Sequence, residues 1–169
     1  TWTVIGSFLN NVNNPDTDWV NKMAISESNP DYLFASKGSR IWRTINGGMY
    51  WTEITDGLPN LSINEIAVHP KNPSLIAVSL SGYTAGKKVY ISYDDGRSWN
   101  PFQLNLPIVP VTDLTIKENS LIVATQGRSL WILDDLTVLH QIDKNTTNKP
   151  INLFKPKDSY RTQGSSTKK

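Results

Sequence analysis

The chain repeats itself, and the repeat limits the folds open to it more than any other feature does. "RTINGGMYWTEI" (43–54) and "ISYDDGRSWNPF" (91–102) align as Thr44-x-Asn46-x-Gly48-x-x-Trp51 and Ser92-x-Asp94-x-Gly96-x-x-Trp99, 48 residues apart. Upstream, "NKMAISESNPDYLFAS" (21–36) aligns with "NEIAVHPKNPSLIAVS" (64–79) at an offset of 43, and the difference is a Gly-containing loop insertion, "SGYTAG" (81–86). A weaker third copy, "VTDLTIKENSLIVATQGRSLWILDD" (111–135), repeats the two leading runs and reaches Trp131 and Asp134-Asp135 without the Gly or the second Trp. The opening "WTVIGSFL" (2–9) matches "WTEITDGL" (51–58) and "WNPFQLNL" (99–106), so the chain begins inside a repeat.

Each unit of about 43–48 residues holds four short strand-like runs separated by turn signals, the period and strand count of a propeller blade. In the first full unit these fall at roughly 21–26, 31–36, 40–44 and 50–55. Leu75-Ile76-Ala77-Val78 and Leu121-Ile122-Val123-Ala124 are nearly continuous apolar runs, the pattern of strands covered on both faces. The expected fold is therefore all-β, a partial β-propeller of four-stranded antiparallel blades. Its expected division is the end of a preceding blade and a connection (1–19), blades at 20–62 and 63–110, a closing blade (111–142), and a linker with a flexible tail (143–169). "Asn-Pro-Asp" (29–31) and "Asn-Pro-Ser" (72–74) are expected to turn the chain between the first two strands of their blades. Asp134-Asp135 is read as capping the turn into "LTVL", and Gly127-Arg128-Ser129 as a hairpin with a left-handed Gly.

A hydroxyl, an Asp or Asn two residues later, and a Gly two beyond that are what a tight strand-to-strand turn requires. The carboxylate or amide accepts turn N–H groups, and Gly takes the positive φ. The Trp three residues after Gly opens the next strand and is expected to fold its ring over the turn, removing about 150–250 Å² from water. At about 25 cal/mol per Å², several kcal/mol of burial explain the motif without chemistry. Asn46, standing where the twin has Asp94, supports a structural role, because an amide caps a turn but is a poor base or anionic ligand.

Both copies resemble the Asp-box, the bacterial neuraminidase (BNR) repeat, at every defining position: Thr44, Asn46, Gly48 and Trp51, and Ser92, Asp94, Gly96 and Trp99. "VYISYDDGRSWNPFQLNLPIVPVTDLTIKENSLIVATQGRSLWILDDLTVLHQI" (89–142), followed by "LFKPKDSYR" (153–161), is similar to the final blades of sortilin-like or glycosyl-hydrolase-like bacterial propeller proteins. That resemblance implies a portion of a much longer exported protein, extracellular or periplasmic, whose export signal lies outside this chain. It also implies Asp-box turns at the blade rim, away from any active site.

Composition excludes several classes. Seventeen Lys and Arg stand against 15 Asp and Glu, a balance that draws the chain to neither nucleic acid nor an anionic membrane. No apolar run approaches the ~20 residues of a membrane helix, and the absence of Cys excludes disulfides and thiolate metal sites. His69 and His140 lie 71 residues apart with no carboxylate cluster at ligand spacing, so neither metal nor cofactor is expected.

A sialidase-type site would need an arginine triad from separate blades. Arg43 and Arg97 flank the box turns, on the wrong rim for one. Glu65 and Asp113, with Lys22 as the third equivalent, occupy one position in the first strand of successive blades and could line the central channel, where Arg128 could bind an anion. A glycosidase pair drawn from two blades thus stays open in principle. Trp42, Tyr90 and Trp131 share a position read as inter-blade core rather than a sugar platform. The leading expectation is a non-catalytic structural and binding module that recognises protein or glycan. The alternative is a portion of a secreted sialidase-like or endoglucanase-like glycoside hydrolase whose site needs other blades. Blade faces left bare at both ends predict association with further blades of a parent chain or with copies of itself.

Overall fold

The computed structural model describes Thr3, Ile5, residues 20–82, Gly86, residues 88–142, Thr146 and residues 151–158. Expectations for the rest of 1–19, the middle of the 81–86 insertion, most of the 143–150 linker and the 159–169 tail lie outside the described residues.

Eleven strands form three antiparallel sheets among the described residues. The first orders β1 (Val20–Ile25), β2 (Leu33–Lys37), β3 (Arg40–Thr44) and β4 (Thr52–Glu53) in sequence. The second does the same with β5 (Ile63–His69), β6 (Asn72–Leu80), β7 (Val89–Ser92) and β8 (Asn100–Pro101). The third has β9 (Val111–Lys117), β10 (Ser120–Thr125) and β11 (Leu130–Leu133), followed by a 3-10 turn at Thr137–Gln141. Leading strands of successive sheets are neighbours, β1 beside β5 and β5 beside β9. The sheets therefore stand side by side as propeller blades, with their first strands innermost.

The core lies in the seams between sheets, and β6 shows why its sequence is continuously apolar. Ile76, Val78 and Leu80 point to the first sheet, where they meet Phe34, Ile41 and Ile54 in one cluster with Ile63, Ile66 and Trp99 of their own sheet. Leu75 and Ala77 point the other way and join Val89, Ile91, Leu114, Leu121 and Val123 against the third sheet. Strand periodicity of two places alternate residues on opposite faces, so a sheet with a neighbour on each side has no polar face to reveal its period. The two end faces, of the first and third sheets, differ. On β1, Met23 and Ile25 are 56% and 57% exposed, and on β11, Leu130 and Ile132 are 69% and 61% exposed.

One turn sits earlier than its sequence suggests. The β5–β6 reversal falls at Pro70–Lys71, with Asn72 already in β6 opposite His69. His69 causes the shift: its Nδ1 accepts the N–H groups of Lys71 (3.2 Å) and Asn72 (3.2 Å), the capping role the motif had given to Asn72. Asn72 Oδ1 in turn accepts Ser74 N–H at 3.2 Å.

Candidate functional site

The two repeated turns share one hydrogen-bond circuit. Ser92 Oγ donates to Asp94 Oδ1 (2.9 Å) and accepts the N–H of Gly96 (2.8 Å), while Asp94 Oδ1 also accepts Ser98 N–H (2.9 Å) and Oδ2 accepts Ser98 Oγ–H (2.7 Å). In the twin, Thr44 Oγ1 donates to Asn46 Oδ1 (2.8 Å) and accepts Gly48 N–H (3.0 Å), and Asn46 Oδ1 accepts Tyr50 N–H (3.0 Å). Thr44 and Ser92 are buried.

Burial alone would raise the Asp94 pKa, but hydrogen bonds from Ser98, Ser92 and the Arg97 backbone outweigh it and hold the carboxyl below its ordinary 3.8. A depressed carboxyl contributes stability that is present above the unfolded-state pKa and lost as pH falls through the folded one. Asp94→Ala, which abandons the turn donors, is expected to cost about 1–3 kcal/mol in chemical denaturation. Asp94→Asn, which copies the twin, is expected to cost less than half of that.

The carboxylate pair divides its labour between two structures. Asp95 sits at φ 63 where the twin has Gly47 at φ 65, so each turn holds two successive left-handed residues, Asp95-Gly96 and Gly47-Gly48, instead of the single glycine expected. Asp95 Oδ1 accepts Ser74 Oγ–H at 2.7 Å, and Arg43 of the first sheet donates from Nη1 to the Asp95 carbonyl at 2.8 Å, with 3.5 Å to its carboxylate. The motif by itself does not indicate that tie between sheets. The signal for it is a carboxylate standing at the glycine position of its own twin, since only a locally bonded Asp or Asn takes that conformation readily.

Each tryptophan reaches the preceding unit, where a ring folded over its own turn was expected. Trp99 is 7% exposed and donates from Nε1 to the Ile54 carbonyl at 2.7 Å. Trp51 donates to the Ile5 carbonyl (2.7 Å) as well as to Gly48 O of its own turn (3.2 Å). A Cβ on Gly96 would lie 2.5 Å from Ile54 Cδ1, and one on Gly48 would lie 2.8 Å from Ile5 Cβ. At Trp99, turn and indole together clamp the end of the last strand of the first sheet.

At the opposite end of the sheets, the innermost strands bring the channel candidates together. Lys22 Nζ lies 2.7 Å from Glu65 Oε2, and this pair raises the lysine pKa, with Asp113 adding to the effect from nearby. Glu65 Oε1 accepts Ile66 N–H (3.3 Å) and Asp113 Oδ1 accepts Leu114 N–H (2.8 Å). Both Glu65 oxygens are thus occupied. Arg128 is exposed on the β10–β11 hairpin at this same end, and its carbonyl accepts Trp131 Nε1–H at 2.8 Å. Trp42, Tyr90 and Trp131 are half-buried, with Tyr90 packed on the first seam and Trp131 on the second.

The two histidines meet, which their separation in sequence concealed. Their rings stand edge to face, 4.4 Å between centroids, and both Nε2 atoms bond Asn119 Oδ1, at 3.4 Å from His69 and 3.0 Å from His140. Asn119 Nδ2 donates to Asp135 Oδ1 (2.9 Å) and Thr137 Oγ1 (2.6 Å), so the cluster pins the 3-10 turn to the second and third sheets. Among the described residues, no group of three or more His, Cys, Asp or Glu is assembled that could hold a metal ion.

Burial lowers both histidine pKa values; the neighbouring His140 and Lys71 lower that of His69 further, while Asp135 partly offsets the effect at His140. Folded-state values below 6.5 mean that the unfolded chain binds the extra protons, so this contribution is whole above pH 6.5 and declines as pH falls below it. Thermal unfolding midpoints are expected to fall between pH 7 and 5, and a His69→Gln/His140→Gln double variant should flatten that slope.

No protein-family model matches the chain, and no curated protein sequence matches it. Solved structures do. The chain is similar to the GH74 enzyme of Niastella koreensis, with 22% identity and a TM-score of 0.53 over 61% of this chain and 16% of that one. It is similar to the GH74 xyloglucanase from Xanthomonas campestris, with 15% identity and a TM-score of 0.54 over 68% of this chain and 20% of that one. A third likeness is to YCF48 from Cyanidioschyzon merolae, with 15% identity and a TM-score of 0.53 over 72% of this chain and 35% of that one. The chain spans about a sixth to a third of the lengths of these proteins. At such identities the likeness is one of fold: this chain is a stretch of β-propeller built from antiparallel sheets of up to four strands.

Proposed function

We propose that the chain is a non-catalytic structural and binding module, a stretch of a larger exported bacterial Asp-box propeller protein of the sortilin-like kind. In this reading it is extracellular or periplasmic and recognises protein or glycan through loops on the face opposite the Asp-box turns. The observation that carries the proposal is the occupancy of the box side chains. Asp94, Asp95, Ser92, Asn46 and Thr44 spend their oxygens on the turn and on the neighbouring sheet, which leaves the other face to vary. Titration of the labelled chain with candidate glycans and peptides, followed by NMR, is the test. Shifts are expected in loops 38–39, 55–62 and 126–129. Shifts concentrated in 44–51 and 92–99 would contradict the proposal.

A second reading, a portion of a secreted glycoside hydrolase, is favoured by one observation: Glu65 and Asp113 stand at equivalent positions on adjacent innermost strands, paired with Ser79 and Ala124. It requires that the longer protein cleave a glycan and that Glu65→Gln or Asp113→Asn abolish turnover while leaving the fold intact.

A further inference from the structure

Trp99 seals the seam between the first and second sheets, in one buried cluster with Ile41, Ile54, Ile76 and Val78 and with Tyr90 and Leu58 packed against it. The second seam is built from corresponding positions. Val89, Phe102 and Leu106 correspond to Ile41, Ile54 and Leu58. Strand register makes Leu121, Val123 and Trp131 the counterparts of Ile76, Val78 and Tyr90: Val78 pairs with Ile66 and Tyr90, as Val123 pairs with Leu114 and Trp131. These six residues line an apolar cleft of about 60 Å³.

The sequence explains the opening. Trp51 and Trp99 each stand seven residues past the end of their third strands, at Thr44 and Ser92. Seven residues past β11 stands His140, which is held on Asn119 and Asn72 and supplies no indole to the seam. The strand edge is open as well. The positions of β4 and β8 beside β3 and β7 have no counterpart beside β11 among the described residues.

We propose that the cleft and the free edge of β11 form a docking site for a tryptophan-headed strand, residues 2–9 of a second copy of the chain. The occupant is identified by continuity with the seams already present. Trp2-x-x-Ile5 repeats Trp51-x-x-Ile54 and Trp99-x-x-Phe102. Ile5 already meets Gly48 and Trp51 as Ile54 meets Gly96 and Trp99. A copy that lays this strand along β11 sets Trp2 in the cleft with its Nε1–H toward the Phe102 carbonyl. It also brings its own first sheet against the third sheet of the recipient.

The bare faces match that geometry. Leu130 and Ile132 are the counterparts of Val89 and Ile91, which face the next sheet. Met23 and Ile25 are the counterparts of Ile66 and Val68, which belong to the seam with the preceding one. One exposed pair would cover the other. The contact is heterologous, head to tail, and it concerns a different surface from the ligand-binding loops, so failure of either proposal leaves the other standing.

Sedimentation across a concentration series tests it. The chain is expected to exceed its monomer mass of 18.9 kDa as concentration rises. Trp2→Ala and Leu130→Lys, the latter at a position 69% exposed, should each weaken association at least tenfold without altering the circular dichroism spectrum. Mixing the two variants should restore a heterodimer, because one retains an intact cleft and the other an intact strand. A chain monomeric at all concentrations, association indifferent to both substitutions, or a mixture that stays dissociated would overturn the proposal. A monomeric chain that still binds a labelled peptide of residues 1–9 would likewise overturn the second copy and assign the edge to a strand from another chain.

Discussion

Trp99→Ala is expected to remove about 3–5 kcal/mol of stability, the range for deleting a large buried aromatic side chain. Against a total of about 5–15 kcal/mol for an ordinary domain, that is enough to unfold a marginal one. Two losses combine. The ring leaves a seam in which it is 7% exposed, and the Ile54 carbonyl loses its 2.7 Å indole donor. Trp99→Phe separates them: it keeps most of the apolar surface and is expected to cost about 1–3 kcal/mol for the orphaned carbonyl. Urea denaturation monitored by far-ultraviolet circular dichroism measures both. A Trp99→Ala cost below about 1 kcal/mol would mean that the seam does not depend on the indole.

Gly96→Ala is expected to rank next, at about 2–5 kcal/mol, because two penalties fall on one atom. A Cβ at φ +78 costs about 1–2 kcal/mol. The same Cβ would sit 2.5 Å from Ile54 Cδ1 and 3.0 Å from Ile54 Cβ, an overpacking worth about 1–3 kcal/mol more. Gly127→Ala supplies the control. Its φ is +74 with nothing within 4 Å of a new Cβ, so it should show the conformational penalty alone. Equal costs at the two positions would show that the last strand of the first sheet does not press against the turn.

The repeat made the strand order and the two repeated turns legible, because hydroxyl, amide or carboxylate, Gly and Trp each carry a local requirement that survives translation along the chain. What stayed hidden is what crosses between units. Nothing local to Trp99 says that its indole bonds Ile54, and nothing at His69 announces His140, 71 residues away in sequence and 4.4 Å away in space. Asp95 lies between these cases. Its place opposite Gly47 carries a sign of the second left-handed residue that the expectation of a single positive-φ Gly passes over, and its tie to Arg43 depends on how adjacent sheets stand. At the end of the sheets opposite the repeated turns, a shared position in the repeat brought Lys22, Glu65 and Asp113 into view together. The ion pair between the first two follows only from β1 and β5 being neighbours.

The tryptophan-bearing turn at 92–99 clamps the second sheet onto the first, so that the two unfold as one cooperative unit. Hydrogen exchange of the indole N–H groups, read by NMR, tests it most directly. The Trp99 Nε1–H should exchange only through global unfolding, slowing in step with the core amides of β6, while the Trp131 Nε1–H on its exposed hairpin exchanges orders of magnitude faster. A Trp99 indole proton lost as quickly as that of Trp131 would contradict the account.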